Sequence, residues 1–521
     1  MPNRSTDALF QLVKSLEKQE KRNFKLYVTR NSSSEDMKII QLFDALDKMG
    51  EYDEDLLLKK NSGIRKQQLS NMKAHLYRQI LSSLRLLDNE RNIDIQLHEL
   101  MDHARILYNK GLYLQSIKLL ERLKEMARSH HQHTFLLQVL FFEKKIEALH
   151  ITRSMQDRAD HLTQEVDEVN RKISLISAFS NLSLLLYSWY IKHGHARNEK
   201  DETAVKRFFE QSISVSPDHV TVSGFYEELY LYQSYCWYAF IRQDFLLYYR
   251  YAQKWVMLFN REPAMIEVET THYIKGLHNL LGAHFDLQNY PRFIEVLERF
   301  EQFASSSVVM ENENNRVQVF VYLHIAKLNQ HFMEGTFTDG LKLVPIIEQN
   351  LKDFALYLDR HRVLVFYYKI ASLYFGSGNY GVAIDYLNRI INWKVDLRTD
   401  LQCYARLLHL IAHYEIGNLQ LLEYLTKSVY RFMAKMGNLS VVEEEIFGFL
   451  RNSFRFTPKT LKPEFEKLLE KLRMLQKNKT ASRAFAYLDI ISWLESKIAS
   501  VPIQAVIHKK FLGRNRQVGA G

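Results

Sequence analysis

The chain has 521 residues, of which 46% are hydrophobic and 12% aromatic, with 18 Gly, 8 Pro, 2 Cys and a formal charge of +10. Two cysteines exclude a disulfide framework, and the length favours an extended array or several domains over one compact domain. No proline lies between Pro2 and Pro217, and period-2 alternation is scarce, so the chain reads as all-α. Cys236 and Cys403 sit in apolar helical stretches and read as small buried hydrophobes, in keeping with a reducing compartment. The first residues, MetProAsnArgSerThrAspAlaLeuPhe, lack the apolar run of a signal peptide, and a cytoplasmic location is expected.

Residues 1–92 read as an N-terminal helical module. Leu9, Phe10, Leu12, Val13 and Leu16 mark a first helix. AsnSerSerSerGlu at 31–35 is a polar break that caps a helix through Ile39, Ile40, Leu42, Phe43 and Leu46. MetGlyGluTyrAspGluAsp at 49–55 ends that helix, and a long one is expected from about Ile64 to Leu87. Residues 56–87 carry Lys59, Lys60, Arg65, Lys66, Lys73, Arg78 and Arg85 and no acid. Within 56–74, Gly63 has the place of a turn glycine and Leu69 that of a buried residue on the next helix. This segment resembles a helix-turn-helix, which implies that Arg65, Lys66 and Lys73 face nucleic acid. Lys59 departs from the small residue that family prefers. The alternative is an amphipathic helix with Leu69, Met72, Leu76, Ile80 and Leu84 inward and a solvated basic face.

Residues 93–450 carry a recurring spacing. Ala104, Gly111, Tyr113, Ser116, Leu120 and Leu123 share their offsets with Ala371, Gly378, Tyr380, Ala383, Leu387 and Ile390. The same offsets return, with bulkier residues, at Cys236, Gln243, Phe245, Tyr248, Ala252 and Trp255, and at Leu281, Gln288, Tyr290, Phe293, Leu297 and Phe300. Gly335 and Gly417 mark two further turns. The pattern resembles the tetratricopeptide repeat, although Tyr248 and Phe293 stand where that family has small residues and no proline regularly closes a unit. The resemblance implies an α-solenoid of antiparallel helix pairs, a TPR-like right-handed superhelix, whose concave face takes peptides or protein segments. Between the units, Ile173–Ile191 is uncharged and about long enough to span a bilayer. Five serines and Asn181 interrupt it, so it reads as a helix packed between neighbours, and no membrane span is expected. Polar breaks are expected at 194–203 and 305–316.

Residues 225–259 hold 14 aromatic side chains in 35 residues, more than one helix face can bury. Phe245, Trp255 and Cys236 fall on packing positions; Tyr226, Tyr230, Tyr232, Tyr238 and Tyr249 are the candidate contacts for a bound peptide. The bland alternative is a bulky core with tyrosines at its edge. Residues 451–521 form a basic C-terminal helical region and tail with 15 basic and five acidic residues, an excess equal to that of the whole chain, so the first 450 residues are balanced. Lys509, Lys510, Arg514 and Arg516 are candidate nucleic-acid contacts, or a solubilising terminus.

No phosphate-cradling loop, HisGluXaaXaaHis or paired CysXaaXaaCys occurs, and GlySerGly at 376–378 lacks the strand-to-helix setting of a nucleotide loop. His130, His131 and His133 have no acidic or cysteine partner nearby in sequence, and no metal or other cofactor is expected. The sequence therefore predicts a non-enzymatic scaffold that binds a protein or peptide segment. The alternative is a transcriptional regulator that meets nucleic acid through segments 56–87 and 451–521 and uses the repeats as a sensor.

Overall fold

The computed structural model describes residues 7–29, 34–60, 66–88, 92–150, 157–196, 198–213, 224–393, 399–437, 439–453, 458–477 and 489–518. Among them every regular element is a helix and no strand occurs. The chain divides into two compact units, Met1–Val166 and Asp167–Gly521.

In the first unit, helices Ala8–Ser15, Lys18–Thr29, Ser34–Lys48 and Lys66–Asp88 enclose a core of Phe24, Phe43, Leu46, Leu76 and Ile80. The Asp7 carboxylate caps the first helix by accepting from the Phe10 backbone N–H at 3.0 Å, which satisfies an otherwise orphaned donor. The 66–88 helix follows the apolar period expected for it: Leu69, Leu76 and Ile80 are buried and Met72 is half-buried. Gly63 lies outside the described residues. Helices Ile93–Asn109, Tyr113–Ser129 and His133–Leu149 pack in succession. The two small positions of the first repeat meet, with the Ser116 hydroxyl donating to the Ala104 carbonyl at 2.8 Å.

One backbone turn recurs in both units. Gly111, His131, Gln243, Gln288, Gly335, Gly378, Gly417 and Ser500 all have φ between +52° and +84°. The residue after each donates its N–H to a carbonyl five residues back: Leu112 to Leu107 (2.9 Å), Asp244 to Ala239 (2.9 Å), Asn289 to His284 (2.9 Å) and Asn379 to Tyr374 (2.8 Å) among them. This closure uses up a terminal carbonyl of the preceding helix and turns the chain into the next one. Glycine adopts the left-handed conformation freely; Gln243 and Gln288 adopt it at roughly 1 kcal/mol.

In the second unit, Phe225–Arg242 packs on Phe245–Arg261, that helix on Thr270–Asp286, and the latter on Glu313–Glu334. Glu313–Glu334 also meets Arg360–Gly376, which packs on Tyr380–Ile391, followed by Thr399–Glu415 and Leu419–Lys435. Among the described residues, Arg158–His193 is the one unbroken helix long and apolar enough to cross a membrane, and 33% of its apolar window is buried. Its polar residues serve packing: the Ser183 hydroxyl donates to Gln233 Oε1 at 3.4 Å, and its Phe179 carbonyl accepts from the Ser234 hydroxyl at 3.1 Å.

The basic C-terminal region folds back on this unit. Pro458–Gln476, Ile490–Ala499 and Ile503–Val518 pack in series, and the last also contacts Glu313–Glu334. Ile503 and Ile507 are buried, Phe511 meets the Tyr290 ring edge-on at 4.7 Å, and His508 Nδ1 lies 2.8 Å from the Glu334 carbonyl. The approach depends on Gly335, where a Cβ would stand 2.5 Å from the His508 nitrogen while φ is +70°. Gly335→Ala is expected to cost about 1–3 kcal/mol and to accelerate amide exchange along 503–514. Unchanged exchange there would show that the helix does not rely on this contact.

Candidate functional site: a cationic cleft in the second unit

Three neighbouring helices bring one face each to a common cleft. On Thr270–Asp286, Lys275, His278, Gly282 and Asp286 recur at three- to four-residue spacing and line the cleft, while Ile274, Leu277 and Leu281 are buried behind them. Glu313–Glu334 contributes Tyr322, Ile325 and Asn329, and Arg360–Gly376 contributes Arg362, Val365 and Lys369. The last helix starts from a cap in which the Asp359 carboxylate accepts from the Arg362 N–H at 2.9 Å. The cleft extends over Phe225–Arg242 and the two C-terminal helices and has a volume of about 2250 Å³. Small-molecule sites are typically about 300–1,000 Å³, so a longer ligand is needed to fill it.

Eight cationic side chains and four carboxylates line the cleft, which leaves it electropositive. Several of these cations are engaged within the protein. Glu495 is shared by Arg473 (2.7 Å) and Lys510 (2.6 Å), and Arg514 donates to Gln288. The floor differs. Lys275 and Arg362 both bear on Tyr322, with Lys275 Nζ 4.9 Å and Arg362 Cζ 5.8 Å from the ring centre. The His278 ring stacks on Tyr322 at 4.3 Å. Lys369 donates to Asn329 Oδ1 at 2.6 Å and lies over the Phe332 ring at 5.2 Å. Asp359, 3.3 Å from Arg362 Nε, is its ion-pair partner.

The electrostatics of the floor favour negative charge. Burial works to raise the Tyr322 phenol, yet the charges of Lys275 and Arg362 outweigh it and bring the phenol below its ordinary value. His278 is held well below its ordinary value by burial and by Lys275, Lys369 and Arg362, so it stays neutral. Burial lowers Lys369 to about 8, opposed by Asp286, and raises Asp286 to about 7, opposed by Lys369. The Tyr322 shift has the sign of the positive field, the Lys369 and Asp286 shifts have the sign of desolvation, and both causes act together on His278.

None of the five tyrosines singled out from the sequence lines the cleft. Tyr238 is buried and stacks on Phe209 at 4.1 Å, a core position that leaves no surface for a ligand. Tyr226 donates to Glu269 at 2.6 Å and Tyr232 to Glu228 at 2.6 Å. Tyr230 meets His272 edge-on at 6.0 Å, and Tyr249 lies 5.1 Å from His284. The cleft instead takes Trp237, Phe240 and Tyr248 from that aromatic segment.

The basic candidates are dispersed. Lys73 is half-buried, ion-paired with Asp7 and hydrogen-bonded to the Tyr52 hydroxyl at 2.7 Å, so it ties the first helix to the 66–88 helix. Lys66 and Lys509 are exposed. Lys510 and Arg514 hold the C-terminal helix in place through the contacts given above. Arg65 and the side chain of Arg516 lie outside the described residues. Among the described residues, no three of His, Cys, Asp or Glu are gathered to hold a metal ion.

Sequence reasoning missed Lys275, Tyr322, Arg362 and Lys369. The signal was faint but present: Lys275 stands at the same register ahead of Gln288 as Tyr322 does ahead of Gly335, the left-handed residues that close their helices. No protein-family model matches this sequence, and no curated protein matches it.

Proposed function

We propose that the protein is a non-enzymatic interaction scaffold whose second unit binds an acidic protein segment in the cleft. The observation that carries this function is the electropositive floor of Lys275, Arg362 and Lys369 in a cleft too large for a small metabolite. The recurring turn and the serial helix packing support a TPR-like right-handed array of antiparallel pairs, in which successive first helices line a groove. An extended peptide of about ten residues, roughly 33 Å long, suits helices about 8–10 Å apart. Apolar walls bury its side chains, and the cationic floor fixes its register and steers its approach.

A nucleic-acid ligand fits less well. Strand binding uses a track of cations on an open surface, whereas here Lys73, Lys510 and Arg514 are committed to internal contacts. The test is fluorescence anisotropy of two labelled ten-residue peptides, one rich in Glu and Leu and one with Lys in place of each Glu. Saturable binding of the acidic peptide alone, weakened by salt, is expected. Equal binding of both, or binding of neither while an oligonucleotide saturates the protein, would sink the proposal.

A further inference from the structure

We infer that Lys275, Tyr322 and Arg362 form a seat for a phosphate monoester in the floor of the cleft. The inference rests on the binding role just proposed and specifies the chemical group that the cleft selects. Three donors converge from three different helices: an ammonium from Thr270–Asp286, a hydroxyl from Glu313–Glu334 and a guanidinium from Arg360–Gly376. Among the described residues, both cations bear on Tyr322.

A tripod of this kind suits a tetrahedral group with three acceptor oxygens and nearly two charges better than a planar carboxylate with one. Asp359 occupies one edge of the Arg362 fork at Nε, and the fork's remaining donors are suited to a phosphate oxygen. Lys369, held between Asn329 and the Phe332 ring and acted on by the Asp286 charge, adds a further cation. His278, stacked on Tyr322, closes one side of the ring. The phenol's displacement toward ionisation has the same origin, the charges of Lys275 and Arg362, and the sign that an anionic oxygen at this point requires.

The phosphate has two possible sources, a phosphorylated side chain on the bound segment or a free phosphate compound. The experiment uses the full chain and three forms of one Glu/Leu-rich peptide, carrying phosphoserine, Glu or Ser at its centre, with inorganic phosphate and oligouridylate as separate probes. The phosphoserine form is expected to bind about tenfold more tightly than the Ser form, with the Glu form between them. Lys275→Gln, Arg362→Gln and Tyr322→Phe should each erase most of that difference, read within each variant as the ratio of phosphoserine-form to Ser-form affinity. Arg362→Lys, which keeps the charge and loses the fork, should retain part of it, and it guards against reading a misfolded variant as a lost seat. Inorganic phosphate that binds alone with the same dependence on the three residues supports the seat and assigns it to a free ligand. Equal affinity for the three peptides overturns the seat and leaves the peptide-binding role standing. Failure of every peptide overturns that role as well, and oligouridylate binding more tightly than the phosphopeptide overturns both.

Discussion

Glu143→Ala is expected to destabilise the first unit by about 3–5 kcal/mol. Glu143 is fully buried on the His133–Leu149 helix, ion-paired with Lys124 at 2.8 Å and with Arg158. Lys124 is itself only 5% exposed, and burial holds its ammonium below the ordinary lysine value. Removing the carboxylate leaves two desolvated cations facing each other, with Glu165, 3.4 Å from Lys124, as partial compensation. The cost therefore arises from stranded charge more than from the lost pair. It follows that Glu143→Leu combined with Lys124→Met and Arg158→Met should recover most of the loss, since replacing a buried charged cluster by apolar groups is often neutral. Denaturant titration of the full chain, following its first transition, measures both. A Glu143→Ala midpoint equal to the wild type would show that the network is solvated and contributes little.

The second large effect concerns the cleft. Lys275→Glu together with Arg362→Glu reverses two charges at its floor, a net change of four units, and should weaken the acidic peptide by at least about 100-fold, while Lys66→Glu, an exposed change in the other unit, should leave it alone. Each cation acts in a partly desolvated setting, where a charge-assisted contact is worth roughly 1.5–3 kcal/mol. The pH dependence has a definite sign. Lys369 is cationic below about 8, and Asp286 is neutral below about 7. Raising the pH through that window removes a positive charge and adds a negative one, so affinity for an acidic ligand is present below about 7 and falls as the pH rises past about 8. Lys369→Arg keeps its charge throughout and should flatten the upper part of the profile. Affinity that rises with pH over this window would refute the charge assignment.

The helical class and the turn positions were legible because they rest on local chemistry. Gly111, Gly378 and Gly417 occupy left-handed positions, and the apolar offsets around them recur wherever one helix packs on the next. Gln243 and Gln288 show the limit of that legibility: the same turn forms without its glycine, so only the surrounding apolar spacing betrays it. The docking of Ile503–Val518 was hidden because its anchor, Gly335, is far away in sequence and reads as an ordinary turn residue. The cleft was hidden for a related reason. Lys275, Tyr322 and Arg362 each lie on a different helix, where one cation or one tyrosine reads as a solvated face. Only the packing of three helices makes them a cluster, and their burial changes what each can do. In the aromatic segment at 225–259 part of the density is ring packing, with Tyr238 stacked on Phe209 and Tyr235 on Tyr251 at 3.9 Å.

The most direct test of the cleft as a binding surface is site-specific photocrosslinking. A benzophenone side chain would be placed at Val365, in the cleft wall, and at Tyr424, which is 66% exposed and does not line the cleft. With the acidic peptide bound and irradiated, crosslinking is predicted at position 365, suppressed by Lys275→Glu with Arg362→Glu, and absent at 424. Crosslinking at 424 with none at 365 would contradict the account and move the binding surface elsewhere on the second unit.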